Sequence, residues 1–355
     1  MAAGRWSERH GLTVALAVLA AIVIADILLG SEVVLSASYA VAAVVAAAMT
    51  TVRRTAAVAA AAVALAAVSG AWNDNYGTLD WDVRLILNAV LGALALVSAA
   101  IRARRERSLQ HMTVIAETAQ RAVLRAIPSA VGSVGFAARY VSATRAALVG
   151  GDLYEVAATP YGIRVIVGDV RGKGLEAVQM AATVLGAFRR TAFTEPSLTA
   201  MASDLDGVVT AAAGDEDFVT AVLAEFHDDH TVTLVNCGHH APLLVSGTAG
   251  AELLPTGEPE PPLGLGPTPH PVTARWPTGA RMLIYTDGLV ETRDSRGAFF
   301  PLAEHAADLG GGSLEDALDR LIACLIDYAG HRLKDDLALV LVEDRAVSTA
   351  AARPA

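Results

Sequence analysis

Hydrophobic positions fall in two regimes along this chain. Over the first hundred residues they form long runs, Leu12 to Leu29, Val33 to Met49, Ala56 to Ala71 and Val83 to Ile101. Each approaches the roughly 17 to 25 apolar residues that a membrane-spanning helix needs. The third run is short and mostly alanine. Beyond residue 128 the runs shrink to strand length. Strands are expected at Val134 to Val141, Leu153 to Ala157, Ile163 to Val167, Phe218 to Phe226, Thr231 to Val235, Pro242 to Val245, Arg281 to Tyr285 and Leu337 to Val342. Helical spacing marks Leu175 to Ala192, Leu198 to Ala212 and Leu314 to Ala329. In the last of these, Leu314, Leu318, Leu321, Leu325 and Tyr328 line one face, with Ser313 and Asp316 in N-cap positions.

Between the regimes lies a polar helix, Arg102 to Ile127, ended by Pro128. Its apolar positions Leu109, Met112, Ala116, Ala119, Val123 and Ala126 alternate spacings of three and four. That is a short heptad seam, fit either for a homodimer that passes on a membrane signal or for packing against its own domain. The chain thus divides into a transmembrane region of about four helices (1–101), a linker helix (102–127), a second domain (128–344) and a disordered tail (345–355). Strands in succession, interrupted by a helix pair, fit an α+β sandwich of antiparallel sheets with helices outside. The Pro/Gly-rich segment Pro255 to Pro271 reads as a long surface connection.

Basic residues orient the first region. Arg5 and Arg9 precede the first run, Arg53 and Arg54 separate the second from the third, and Arg102, Arg104, Arg105 and Arg107 follow the fourth. The alternate loops, around Glu32 and from Asn73 to Asp82, carry no Lys or Arg, so both termini and the second domain are expected in the cytoplasm of a bacterial cell, on the inner membrane. Asp26 is expected to be solvated near the outer interface, with an intramembrane functional acid as the alternative. Trp72-Asn73-Asp74-Asn75-Tyr76 with Trp81 reads as an interfacial aromatic belt or, alternatively, a ligand-sensing loop.

Composition supports the division. The chain is 54% hydrophobic with a mean hydropathy of +0.45, too apolar for a wholly soluble enzyme of 355 residues. Up to residue 110 it carries 9 Lys/Arg against 7 Asp/Glu, and thereafter 18 against 30. So acidic a second part argues against nucleic acid as a partner and suits divalent cations. Two cysteines, Cys237 and Cys324, provide no disulfide framework.

The candidate chemistry is acidic. Asp169 lies in GDVRGKG (168–174), where a β-branched strand gives way to a glycine-rich turn. A phosphate-cradling loop is excluded, because only three residues separate Gly168 from Gly172 and Lys173 is followed by Gly174 rather than Ser or Thr. Three further sites put an Asp at a strand terminus: Gly150-Gly151-Asp152, Thr286-Asp287-Gly288 and Asp335-Asp336. Brought to one edge of a sandwich they would repel one another unless cations joined them. Oxygen-only donors favour two magnesium or manganese ions over zinc, and such a pair suits phosphate-ester hydrolysis. Cys237, His239 and His240 do not have the spacing of a standard zinc site.

In order along the chain, GGDLYEV, GDVRGKG, NCGHHAPLL, PPLGL, LIYTDGLVE and DDLALVLV resemble the PPM-type (type 2C-like) serine/threonine phosphatases of the bacterial SpoIIE-like branch. AQRAVLRAIP before Phe136-Ala137-Ala138-Arg139-Tyr140 resembles that domain's entry helix and first strand. The resemblance covers Ala116 to Val342 and leaves out the membrane region. It implies an αββα sandwich and metal-dependent dephosphorylation of phosphoserine or phosphothreonine in a protein, by family analogy an anti-sigma-factor antagonist. Position by position, it implies that Asp169 bridges two cations, that the Val170 carbonyl binds one, and that Asp287 and Asp335 complete the pair. Asp152 would bind directly or through water, and Asp336 is a weaker candidate. Glu155 departs from the pattern, standing where Asp is usual, and no arginine matches the phosphate-gripping residue of eukaryotic relatives. The competing reading is a catalytically silent module that binds a partner; the retained acids speak against it, because an unused acidic cluster is costly.

The basic-loop pattern makes a testable statement. With four spans, a cysteine placed at Asn75 should react with an impermeant reagent on intact cells and one at Ser108 should not. The reverse pattern would refute this orientation.

Overall fold

The computed structural model describes residues 2–30, 33–142, 150–212, 214, 217–246, 250–331 and 333–345. Two compact units emerge, Met1–His111 and Met112–Ala355.

The first unit is helical: α1 (Ala2–Leu29), α2 (Ala40–Met49), α3 (Val52–Val68), a short α4 (Gly70–Asn73) and the start of α5 (Leu79–Val123). Alanines dominate its interior, with Ala42, Ala46, Ala62 and Ala66 buried together beside Val58 and Leu19. Small side chains let helix backbones approach closely where packing, not water exclusion, joins them. Three helical stretches are long and apolar enough to cross a membrane, His10–Leu29, Val52–Asn73 and Leu79–Leu109. The second expected span differs: it is a four-residue 3-10 turn leading into the ten-residue α2. Ten residues rise only about 15 Å, half of a hydrocarbon core.

Asp26 also departs from expectation. Instead of being solvated, its carboxylate is fully buried. It accepts from Tyr39 Oη (2.5 Å), Leu35 N (2.5 Å), Trp72 Nε1 (3.1 Å) and Asn73 Nδ2 (3.2 Å). Four donors compensate an acid that would otherwise be costly to bury.

The second unit is a sandwich. One sheet runs β1 (Ala130–Val131), β2 (Val134–Val141), β11 (Leu337–Asp344), β10 (Arg281–Tyr285), β7 (Leu243–Ser246) and β8 (Gly250–Leu253) in spatial order. The other runs β3 (Leu153–Thr159), β4 (Gly162–Val170), β5 (Val219–Phe226), β6 (Thr231–Cys237) and β9 (Val272–Arg275). Every pair of neighbouring strands within the two sheets is antiparallel. Phe136, Val165, Val167, Phe226, Trp276, Met282 and Val340 fill the space between the sheets. Helices α6 (Leu175–Thr194) and α7 (Leu198–Ala212) cover the outer face of the five-stranded sheet through Leu185, Phe188, Met201 and Leu205. Helix α10 (Leu314–Tyr328) covers the other through Leu314, Leu318, Leu321 and Leu325. The result is the αββα order. The Ser313 hydroxyl caps α10 by accepting from Asp316 N at 3.1 Å.

Some expectations shift. Strands β8 and β9 carry mostly exposed side chains, so their hydrophobic alternation is weak. Two short helices, α8 (Asp287–Val290) and α9 (Leu302–His305), escape periodicity analysis because each is about one turn. The linker helix is the end of the continuous 45-residue α5 and stops at Val123, before Pro128. Its seam divides: Ala119 and Val123 pack against the second unit's own core, whereas Leu109 and Met112 are exposed. The expected tail, apart from Arg345, lies outside the described residues.

One buried ion pair anchors α6 to the sheet. Arg164, fully buried, donates to Glu225 Oε2 at 2.6 Å and to the carbonyls of Ala192 (3.0 Å), Glu195 (2.5 Å) and Pro196 (2.9 Å). These carbonyls end or follow α6, where backbone acceptors lack helical partners. Arg164→Ala strands a buried acid and three acceptors together, so denaturant unfolding should show a loss of about 3 to 5 kcal/mol. A loss below about 1 kcal/mol would contradict this role for the pair.

Candidate active site

Antiparallel pairing explains how the four acids meet. Strand β3 begins just after Asp152 and pairs with β4 so that Leu153 lies opposite Gly168, one residue before Asp169. Strand β10 ends at Tyr285, before Asp287, and lies opposite Leu339 near the start of β11, just after Asp335 and Asp336. Two strand beginnings and two strand ends therefore share one edge of the sandwich. A cleft of about 330 Å³ opens there, lined by Asp169, Asp287 and Asp335 with Lys173, His239 and Glu291 among others.

The backbone is tight around the cleft. A side chain on Gly288 would place its Cβ 2.0 Å from the Asp336 carbonyl, and one on Gly151 would meet Val170 Cβ at 2.4 Å. Glycine is required at both positions for the chains to approach this closely.

Crowding raises the acids together. Asp152 is held well above the usual carboxylate range by burial and by Asp169, with which it is in hydrogen-bond contact. Asp169 is pushed up to about 7 by burial and by Asp287. Asp287 is raised by burial and then by Asp335. Lys173 forms a half-exposed ion pair with Asp335 at 2.7 Å. Burial opposes its charge, but Asp335 outweighs that and raises its pKa. These features fit a divalent-cation centre: an all-oxygen donor set whose members repel one another while ionised.

Two weaker candidates do not line the cleft. Strand alternation puts Asp152 and Tyr154 on one face and Leu153 and Glu155 on the other, toward α6. There Glu155 accepts from Arg189 at 2.6 Å, and the same guanidinium donates to the Val123 carbonyl at 3.0 Å. Asp336 is buried and faces Tyr140 Oη at 2.6 Å, Ser142 Oγ at 3.2 Å and the Gly150 amide, so it fastens the Gly150-Gly151 turn.

Several residues acquire a role that their motifs did not indicate. The buried Thr286 hydroxyl donates to Asp152 Oδ2 at 2.8 Å and accepts from Ala338 N at 2.9 Å, linking Asp152 to β11. His239 lies between the two sheets: Nε2 is 3.0 Å from the Tyr285 carbonyl and Nδ1 2.9 Å from Thr220 Oγ1. A carbonyl only accepts, so Nε2 carries the proton and Nδ1 accepts from the threonine. Burial and His240 lower the His239 pKa to about 3, in keeping with this neutral ring. Thr220 itself lies opposite Asp169 in register. Gln120, near the end of α5, donates to the carbonyls of Gly150 (3.2 Å) and Asp152 (3.5 Å). The signal available in sequence was a hydroxyl or amide at the rim of an apolar run.

The fold and site define a PPM-type phosphatase domain. The profile of the Stage II sporulation protein E (SpoIIE) family matches residues 159–345, more than half of the chain, and the chain belongs to that family. The match begins after GGDLYEV, whose place at the cleft rests on the fold. Among solved structures, the SiaA-PP2C domain of Pseudomonas aeruginosa is 19% identical with a TM-score of 0.55, over 70% of this chain and 98% of that one. The RsbU and RsbW domains of Rv1364c from Mycobacterium tuberculosis are 24% identical with a TM-score of 0.53, over 61% of each chain. The PP2C phosphatase domain of SpoIIE from Bacillus subtilis, with a fragment of its regulatory domain, is 17% identical with a TM-score of 0.50, over 59% of this chain and 63% of that one. The chain thus spans about three fifths of the length of the Mycobacterium tuberculosis and Bacillus subtilis chains it matches.

The raised acids set a pH dependence. In the metal-free chain Asp169 binds its proton more tightly folded than unfolded, so the stability this contributes is present below about 3.8 and is lost as pH rises through about 7. Cations bind the ionised form, and manganese should therefore raise the thermal midpoint over chelator more at about pH 8 than at about pH 5.5. Equal gains at both pH values would sink the assignment.

Proposed function

We propose that this protein is a membrane-anchored, metal-dependent phosphatase that hydrolyses phosphoserine or phosphothreonine in a protein. The observation that carries the reading is the meeting of acids from four separate chain segments: Asp169, Asp287 and Asp335 line one cleft, and the buried Asp152 is in contact with Asp169. Asp169, Asp287, Asp335 and the Val170 carbonyl would hold two divalent cations, magnesium or manganese, with Asp152 directly or through water. When bound, such a pair supplies acidification of water and compensation for phosphoryl charge.

The chain's own groups do the rest. Thr286 holds Asp152 in place through its hydroxyl. Arg171 and Lys173 line the cleft and offer positive charge to a phosphate dianion, with the Arg171 guanidinium 5.5 Å from the Phe218 ring centroid. This supplies a candidate for the phosphate-gripping cation that has no counterpart by motif. The apolar helical stretches support membrane anchoring, and the family supports a phosphorylated regulatory protein, such as an anti-sigma-factor antagonist, as substrate.

The test is phosphate release from a phosphoserine peptide by the full chain, with manganese, magnesium or chelator present. Release should require the cation, and Asp169→Asn should lower it by at least about a hundredfold, as when a charged group at a reacting centre is removed, with thermal unfolding preserved. Near-normal turnover by the variant would remove Asp169 from the site. Absence of metal-dependent release in the wild type would favour the silent partner-binding module.

A further inference from the structure

A second group of ligand-type side chains lies apart from the acidic cleft, on the helical layer over the six-stranded sheet. One ring nitrogen of His305, a carboxylate oxygen of Asp308 and the sulfur of Cys324 all lie within 4.8 Å of one another. None of the three lines the cleft. We propose that His305, Asp308 and Cys324 bind a zinc-class divalent ion as a structural staple, with a water as fourth ligand.

The donor set decides the class of ion. One imidazole, one carboxylate and one thiolate match the nitrogen, oxygen and sulfur ligands of zinc, whereas magnesium and calcium avoid sulfur. Three atoms within 4.8 Å of one another share a point no farther than about 2.8 Å from each, against zinc bonds of about 2.0 to 2.3 Å. Contraction by at most about 0.5 Å at the sulfur and about 0.8 Å at the nitrogen and oxygen closes the site, within the reach of small side-chain rotations. His305 Nδ1 is 3.7 Å from Asp308 Oδ2, too long for a good hydrogen bond. Among the described residues the Cys324 thiol makes no hydrogen bond.

The ligands are also held in place by independent means. The His305 ring stacks on Phe300, with centroids 4.7 Å apart and planes 10° from parallel. Phe300 in turn meets Tyr328 of α10 edge-on at 5.4 Å. Arg320 Nη2 donates to the carbonyls of Asp308 (2.8 Å) and Gly311 (2.6 Å), fixing the backbone that carries the acid. Arg320 and Cys324 are one turn apart on α10 and share a face, so the helix face that anchors the loop also presents the Cys324 thiol to it. Arg281 adds bonds to the carbonyls of Leu309 (2.7 Å) and Gly312 (2.6 Å). Such support is what a preformed metal site needs. Binding would deprotonate Cys324, release that proton to solvent, and join the 3-10 turn after α9 (Ala306–Leu309) to α10.

Cobalt(II) is the probe, because thiolate coordination gives a near-ultraviolet charge-transfer band that carboxylate sites lack. The full chain, purified reduced in detergent and held in excess magnesium so that the acidic cleft is occupied, should show this band saturating with one cobalt bound per chain, and zinc should erase it. Cys324→Ser, close in size, should abolish the band, and Cys237→Ser should leave it intact. His305→Ala should weaken cobalt binding at least about tenfold, the low end of what even supporting residues contribute. A wild type without the band overturns the site and leaves an ordinary imidazole and carboxylate pair. A band that survives Cys324→Ser, or an affinity unchanged in His305→Ala, overturns it equally.

Discussion

Repulsion among carboxylates forced to one edge of a sandwich is the constraint on which the rest of this domain depends. Two unit charges 4 Å apart interact by about 4 kcal/mol at an effective dielectric constant of 20. An ion pair as exposed as Lys173 with Asp335 returns about 0 to 1 kcal/mol. The lysine therefore cannot quiet the cluster alone, and protons must share the task, which is why Asp152 and Asp169 titrate so high. Thr286 follows from the same constraint, since it fixes Asp152 where repulsion would push it away, whereas Asp336 adds its own charge near Asp152 while it holds the Gly150 amide. A binding module with no use for cations would gain stability by replacing any one of these acids.

The fold was largely legible because its periods are local. The eight expected strands correspond to strands observed, and the leucine face of α10 and its Ser313 cap follow from spacing alone. The meeting of the acids was legible for a related reason: an Asp at the end of a strand keeps its place when the strand pairs. What escaped depends on distance in sequence or on parity. Glu155 sits three residues from Asp152, an odd interval that turns it toward Arg189, 34 residues away. His239 draws its meaning from Thr220 and Tyr285, 19 and 46 residues off, and no local pattern joins them.

Asp26 fails as a sequence reading for the same reason. Alone in an apolar run it looks like an acid that must find water. Its donors lie 9, 13, 46 and 47 residues away, and once they converge it needs none. The aromatic segment read as an interfacial belt thereby acquires a second role, because Trp72 and Asn73 spend their polar hydrogens on this carboxylate. Changing Asp26 would leave the buried Tyr39 hydroxyl and Asn73 amide without this acceptor, so the acid and the loop are fixed together.

Gln120 ties the entry helix to the acidic edge of the sandwich by similar logic. Its amide nitrogen serves the Gly150 and Asp152 carbonyls, and its amide oxygen lies 2.9 Å from the Tyr140 hydroxyl, which also meets Asp336 at 2.6 Å. One side chain on the last turns of α5 thus contacts the backbone on either side of Gly151 and the residue that fastens that turn. A small rotation of this part of α5 cannot keep all of these bonds, because an amide presents its donor and acceptor in fixed opposite directions. Gln120 thus fastens this part of α5 to the backbone that carries Asp152, and Ala119 and Val123, packed on the domain core, hold the same helix face against the domain.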